Sequence, residues 1–153
     1  MGYWKRRRLE NYNYSDNGLY FVTICCQKKE NYFWETDKSK KGVTELTYAG
    51  KITKEAIERI SEKYKNARVD NYVVMPNHVH LIIELSDSAV NLSTIINQAK
   101  GFVSKQLGYS PWQRSFHDHI IRGEKDYEMI WNYIDTNPMR WHADCFYSEE
   151  MTV

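Results

Sequence analysis

The sequence predicts an α+β domain built on a ferredoxin-like antiparallel sheet with helices packed against it. Three observations carry that expectation. Segments of period two and of helical period follow one another in the order β, α, β, β, α, β, α. The two central strands are separated by only a Pro-Asn turn, so they should pair as an antiparallel hairpin. No repeat, low-complexity tract or clear linker interrupts the 153 residues, a length that suits one domain with its own core, so 1–153 is read as a single unit.

The elements follow in order. Leu19 to Gln27 (LYFVTICCQ) is rich in β-branched and aromatic residues and predicts the first strand. Lys28 to Lys41 is polar and charged and reads as a loop. From about Thr47 to Lys65, Ile52, Ala56, Ile60 and Tyr64 recur every four residues and give a helix one buried stripe. Val69 to Met75 reads as a strand, Pro76-Asn77 as a turn and His78 to Leu85 as a third strand. In that strand Val79, Leu81, Ile83 and Leu85 face one way, and His78, His80, Ile82 and Glu84 the other. Asn91 is placed to cap a helix reaching about Leu107. Its core stripe is Leu92, Ile95, Ile96, Ala99 and Val103, with a polar stripe of Ser93, Asn97, Lys100 and Ser104 beside it. Gly108 and Pro111 end it. An extended piece around Phe116 to Ile121 precedes a last helix, Glu124 to Asn137. Pro138 stops that helix and biases Asn137 away from helical ψ. One sheet face then takes the earlier helices, and the last helix is the natural cover of the other.

Composition excludes some classes. With 21 Lys and Arg against 20 Asp and Glu, the formal net charge is +1, so the bulk field does not announce a nucleic-acid binder. Lys5, Arg6, Arg7 and Arg8 do form a basic cluster within residues 1–15, a candidate DNA-contacting arm whose plainer reading is a solvated terminus. The 12 Tyr and 5 Trp suit stacking on bases as well as an aromatic core. No stretch approaches the roughly 20 apolar residues of a membrane span, and no apolar region follows the basic start, so no secretory signal is expected. Cys25, Cys26 and Cys145 have neither a disulfide framework's pattern nor zinc spacing. A reducing cytoplasm is the expected location.

His78-Val79-His80 is the strongest local signal for chemistry. Two residues apart on a strand, both imidazoles project from one face and could share a metal ion; two polar residues on a half-exposed strand would look the same. His117 and His119, flanking Asp118, repeat the spacing, but surface or hydrogen-bonded histidines are the favoured reading there. On the last helix Tyr127, Ile130, Trp131 and Ile134 share a face and read as core. Tyr133 lies about 110° from that stripe at 100° per residue, so the main packing face does not need it. Asn137, one turn further, is close to Tyr133 in azimuth. A Tyr and an amide on one flank could meet a metal between helix and sheet.

Three blocks of this sequence resemble a known family in order and content. YVVMPNHVHLII (Tyr72 to Ile83) is similar to the His-hydrophobic-His signature of the HUH endonuclease superfamily. WQRSFHDHIIRGEKDY (Trp112 to Tyr127) and YIDTNPMRW (Tyr133 to Trp141) resemble the downstream blocks of its transposase branch, and in particular the REP-associated tyrosine transposases, relatives of the small single-strand transposases of insertion sequences. The resemblance runs from about Tyr20 to Trp141.

That resemblance implies a metal-dependent enzyme, with Mg²⁺ or Mn²⁺ as cofactor, that cuts and rejoins single-stranded or hairpin DNA. It implies His78 and His80 as metal ligands, Asn137 as a third ligand through its side-chain oxygen, and Tyr133 as the nucleophile that forms a 5′-phosphotyrosine link. Some members of the family work as dimers, so a homodimer is a further expectation. Arg6, Arg7, Arg8, Lys100, Ser104, Arg114 and Arg122 are candidates for phosphate contacts, and Trp112 and Phe116 for stacking on unpaired bases. Two rivals remain: a non-catalytic single-stranded DNA or RNA-binding module on the same sheet, and a metal-dependent nuclease that uses water. A zinc deaminase is disfavoured because the HxE and PCxxC elements are missing, and there is no Walker loop.

Overall fold

The computed structural model describes residues 18–35, 45–86 and 90–138. The arm at residues 1–15, with Arg6, Arg7 and Arg8, lies outside the described residues, as do Cys145 and Met139 to Trp141.

Four strands form one sheet: β1 (Gly18–Cys25), β2 (Ala67–Val74), β3 (His78–Leu85) and β4 (His117–Ile121). Their order is β2-β3-β1-β4 and every pairing is antiparallel. Helices α1 (Tyr48–Glu58), a one-turn α2 (Ile60–Lys63), α3 (Leu92–Leu107) and α4 (Glu124–Thr136) complete the ferredoxin-like arrangement.

The alternation in β3 builds two cores. Val79, Leu81, Ile83 and Leu85 join Tyr20, Val22 and Ile24 of β1, and pack against Ala56, Ile57 and Ile60 and against Leu92, Ile95, Ile96 and Val103. On the opposite face Phe21, Ile82 and Ile121 meet Ile130 and Ile134 of α4, with Tyr127, Trp131 and Tyr133 packed at the margin. Full burial of each such isoleucine contributes about 1.5–3 kcal/mol, enough for Ile130 and Ile134 to seat α4 on Ile82 and Ile121. Polar ties add direction. Tyr127 Oη donates to Asp70 Oδ2 at 3.1 Å, and Asn71 Nδ2 to Asp135 Oδ1 at 3.1 Å, both on β2. A bulge between Val69 and Asn71 sets Asp70 apart from the ladder there.

Helix ends follow local chemistry. Thr47 Oγ1 accepts from Gly50 N at 3.0 Å and Asn91 Oδ1 from Thr94 N at 2.9 Å, each satisfying an orphan first-turn donor. Gly108, at φ +81°, closes α3 in the left-handed conformation that glycine tolerates.

The structure departs from the sequence reading in four places. The helix expected over 47–65 is divided at Arg59 (φ −75°, ψ −15°), whose guanidinium lies 4.8 Å from the Phe102 ring. The polar segment after β1 is not merely a surface loop: Phe33 is fully buried, and Trp34 Nε1 donates to Val74 O at 2.8 Å. A lone buried aromatic among polar residues has no periodicity to announce it. The second strand starts two residues early, at Ala67. Asn137 keeps helical angles (φ −57°, ψ −46°) despite Pro138, which prolongs the flank of α4 by one residue. No helix among the described residues is long and apolar enough to cross a membrane.

Gly50 makes the closest approach in the helical layer. A Cβ there would lie 2.3 Å from Phe33 O and 3.1 Å from Leu46 Cβ, whereas one at Gly101 would meet nothing within 4 Å. Gly50→Ala is therefore expected to destabilise the fold by about 1–3 kcal/mol through overpacking. Gly101→Ala, in an exposed helix interior, should stabilise it by about 0.5–1 kcal/mol. Urea unfolding of the two variants checks the opposite signs.

Candidate metal and nucleophile centre

Strand register brings the centre together. His78 pairs with Cys25 and His80 with Thr23, so both imidazoles stand on the face that α4 covers. Both histidines are buried, and their Nε2 atoms lie 3.1 Å apart. Two ligands at about 2.1 Å from one ion, at right angles, would be about 3.0 Å apart. The pair is therefore spaced as two ligands of one small divalent cation would be.

The outer ring nitrogens are held. Asn77 Nδ2 donates to Lys29 O at 3.1 Å, which turns Asn77 Oδ1 toward His78 Nδ1 at 2.7 Å. An amide oxygen only accepts. His78 must then carry its proton on Nδ1, leaving the Nε2 lone pair facing His80. His80 Nδ1 lies 2.9 Å from Thr23 Oγ1, a hydroxyl that can serve either tautomer. With the proton on Nδ1, both Nε2 lone pairs converge on one point. With the proton on Nε2, His80 donates to His78. Such outer partners fix ring orientation and ligand basicity at metal centres.

Aromatic packing fixes the rest. Phe21 stacks on His80 at 5.2 Å between centroids, and the Tyr133 ring meets His80 at 5.2 Å and 61° and Phe21 at 6.2 Å and 82°. Tyr133 is half-buried and part of the helix–sheet contact, closer to the packing face than its azimuth alone implies. Asn137, one turn further along α4, is 2 % exposed, and neither atom of its carboxamide has a hydrogen-bond partner among the described residues. A buried group left so costs about 1–3 kcal/mol, which a ligand on Oδ1 would offset. Among the described residues no three His, Cys, Asp or Glu side chains gather to hold a metal. His78, His80 and Asn137 carry donor types, two imidazoles and one amide oxygen, that would suit a divalent ion, and imidazole suits Mn²⁺ better than the hardest cations.

His117 is exposed, while His119 Nε2 sits 2.9 Å from Asp126 Oδ2 in a buried contact. Asp126 Oδ2 also accepts from Arg122 N at 3.0 Å, tying the start of α4 to β4. Three expected DNA contacts turn inward instead. Lys100 is 8 % exposed; its ammonium donates to Gln113 O at 2.9 Å and Arg114 O at 3.3 Å, and burial pushes its pKa down. A cation so engaged is a strut between α3 and the segment before β4, not a phosphate contact. Trp112 and Phe116 are buried in the larger core, Trp112 donating through Nε1 to Lys100 O at 3.2 Å, so neither presents a face to a base. Ser104 Oγ donates back to Lys100 O at 3.1 Å. Arg114 and Arg122 are exposed. Thr23 and Asn77 were not singled out in the sequence, because their roles depend on strand register and on one amide's orientation.

A model of the family described as IS200-like transposase matches residues 16–137. The chain belongs to the IS200-like transposase family. An uncharacterised protein of Haemophilus influenzae is 31% identical over 166 residues, covering 92% of this chain and 91% of its own. The REP-associated tyrosine transposase of Escherichia coli K12 is 25% identical over 128 residues, covering 83% and 70%. A solved REP-associated tyrosine transposase, bound to a REP hairpin, superposes with a TM-score of 0.64 at 21% identity, over 88% of this chain and 74% of that one. This IS200-like transposase shares that neighbour's fold, a four-stranded antiparallel sheet with helices.

Removing either outer partner of the histidine pair should loosen metal binding without unfolding the protein. Thr23→Val and Asn77→Ala are each expected to weaken Mn²⁺ binding by about 10–100-fold, read by isothermal titration calorimetry, with circular dichroism unchanged.

Proposed function

We propose that this transposase cleaves and rejoins single-stranded or hairpin DNA through a covalent phosphotyrosine at Tyr133, with Mg²⁺ or Mn²⁺ held by His78, His80 and Asn137. The observation that carries the reading is the convergence of the two Nε2 atoms, 3.1 Å apart, beside a Tyr133 ring 5.2 Å from His80. The hairpin in the solved REP-associated relative supports the partner class. His78, His80 and Tyr133 of one chain stand side by side.

When bound, the ion would supply charge neutralisation on the scissile phosphate and polarise it for in-line displacement. His78, His80 and Asn137 are neutral donors and leave that charge undiminished. Tyr133 Oη would form the new bond to phosphorus as the bond from phosphorus to the 3′ oxygen breaks. The phenolic proton leaves to solvent, and the departing oxygen takes up a proton as a free 3′-OH. The 5′-phosphotyrosine keeps the phosphodiester's bond energy. The 3′-OH of another strand can therefore attack phosphorus, restore Tyr133 and join the ends without ATP. Tyr127 is unsuited to this work. Burial, then the hydrogen bond to Asp70, push its pKa above the ordinary phenol value, and α4 turns its hydroxyl to β2.

Covalent trapping tests the reading. Protein, labelled single-stranded hairpin oligonucleotides that include DNA flanking its own gene, and Mn²⁺ are run on a denaturing gel. An SDS-stable adduct is expected for wild type and Tyr127→Phe, and should vanish with Tyr133→Phe, His78→Ala or chelator. Cleavage without an adduct would instead establish a water-using nuclease, and retarded but uncut DNA a binding module.

A further inference from the structure

The turn after β1 presents its Lys29 carbonyl to Asn77, but it also carries two side chains that neither the fold nor the metal centre uses. Lys28 (φ +53°) and Lys29 (φ +55°) are consecutive and left-handed, and they are the non-glycine residues with positive φ among the described residues. Side chains with a Cβ avoid that region; glycine or asparagine is the usual occupant. Both lysines are exposed, so packing does not select them, and neither ammonium has a hydrogen-bond or ion-pair partner among the described residues. Two exposed cations in a strained turn, without partners among the described residues, point from structure toward function.

The turn is held firmly from behind. Gln27 N donates to Pro111 O at 2.8 Å and Gln27 Nε2 to Ser110 O at 2.7 Å. Glu30 N returns to Gln27 O at 3.0 Å. Asn77 Nδ2 donates to Lys29 O at 3.1 Å while Asn77 Oδ1 accepts from His78 Nδ1. A single buried amide thus separates the lysine backbone from the histidine pair, and Lys28 follows three residues after Cys25, the strand partner of His78. The nearest acid in sequence, Glu30, is engaged by the Tyr32 hydroxyl.

We propose that Lys28 and Lys29 form a phosphate-binding turn that grips the backbone of a single DNA strand beside the His78–His80 centre. The inference rests on the DNA-binding part of the proposed function but not on cleavage. The left-handed turn carries two adjacent exposed lysines on a base tied by hydrogen bonds to Pro111, Ser110 and Asn77, and two neighbouring phosphates of a flexible strand are the ligand proposed for the pair. Lysine contacts of this kind position the strand and carry no sequence preference.

The test measures binding of a fluorescein-labelled oligothymidylate by anisotropy across a salt series, in chelator, so that the outcome is independent of any covalent chemistry. Each phosphate contact on a single strand contributes about 0.7 to the slope of log K against log salt. Lys28→Gly with Lys29→Gly keeps the left-handed backbone at no steric cost and should make the slope shallower by about 1.4. Lys28→Arg with Lys29→Arg should retain the wild-type slope. A glycine double variant that is folded by circular dichroism and has the wild-type slope would overturn the proposal, as would a wild type that does not bind the strand.

Discussion

Strand β3 is covered on both faces, and the rest of the molecule is arranged around that requirement. A strand with one wet face could hold two histidines anywhere along its polar side. Here α4 closes over that side, so every polar group on it must find a partner or a ligand. His78 finds Asn77, His80 finds Thr23, and the two inner nitrogens are left facing each other. The apolar half of the same strand seals the opposite core, which leaves the register no freedom to slip by one residue. Placement of the candidate ligands is thus a by-product of the constraint that makes the sheet stable.

Helix α4 answers the same constraint from the other side. Ile130 and Ile134 supply its grip on Phe21, Ile82 and Ile121. The ties at Asp126, Tyr127 and Asp135 fix its start to β4 and its flank to β2. With both ends oriented, Tyr133 has one place to go, the edge of the His80 ring.

Much of this was legible in the sequence because it is periodic. Period two in His78 to Leu85 separated histidines from core residues, and the three- and four-residue spacings of α3 and α4 marked their buried stripes. What escaped depends on contacts between distant segments. Lys100 looked like part of a solvated stripe, yet its ammonium is drawn inward by two carbonyls on a segment over ten residues away. Trp112 and Phe116 sit in a stretch without regular pattern, so nothing separated an aromatic for stacking on bases from one for the core. Thr23 gains its role only through pairing with His80 across two strands that lie 57 residues apart. The left-handed Lys28-Lys29 pair lies in a segment whose composition says loop and nothing about its angles.

His78 and His80 are proposed to share one metal ion beside Tyr133. Crystals grown or soaked with Mn²⁺ and measured for anomalous scattering test it directly. The expected map has one strong peak bonded to Nε2 of both histidines, next to the Tyr133 ring and within reach of Asn137 Oδ1. A map with no peak there, or with the metal at His117 and His119 instead, would contradict it.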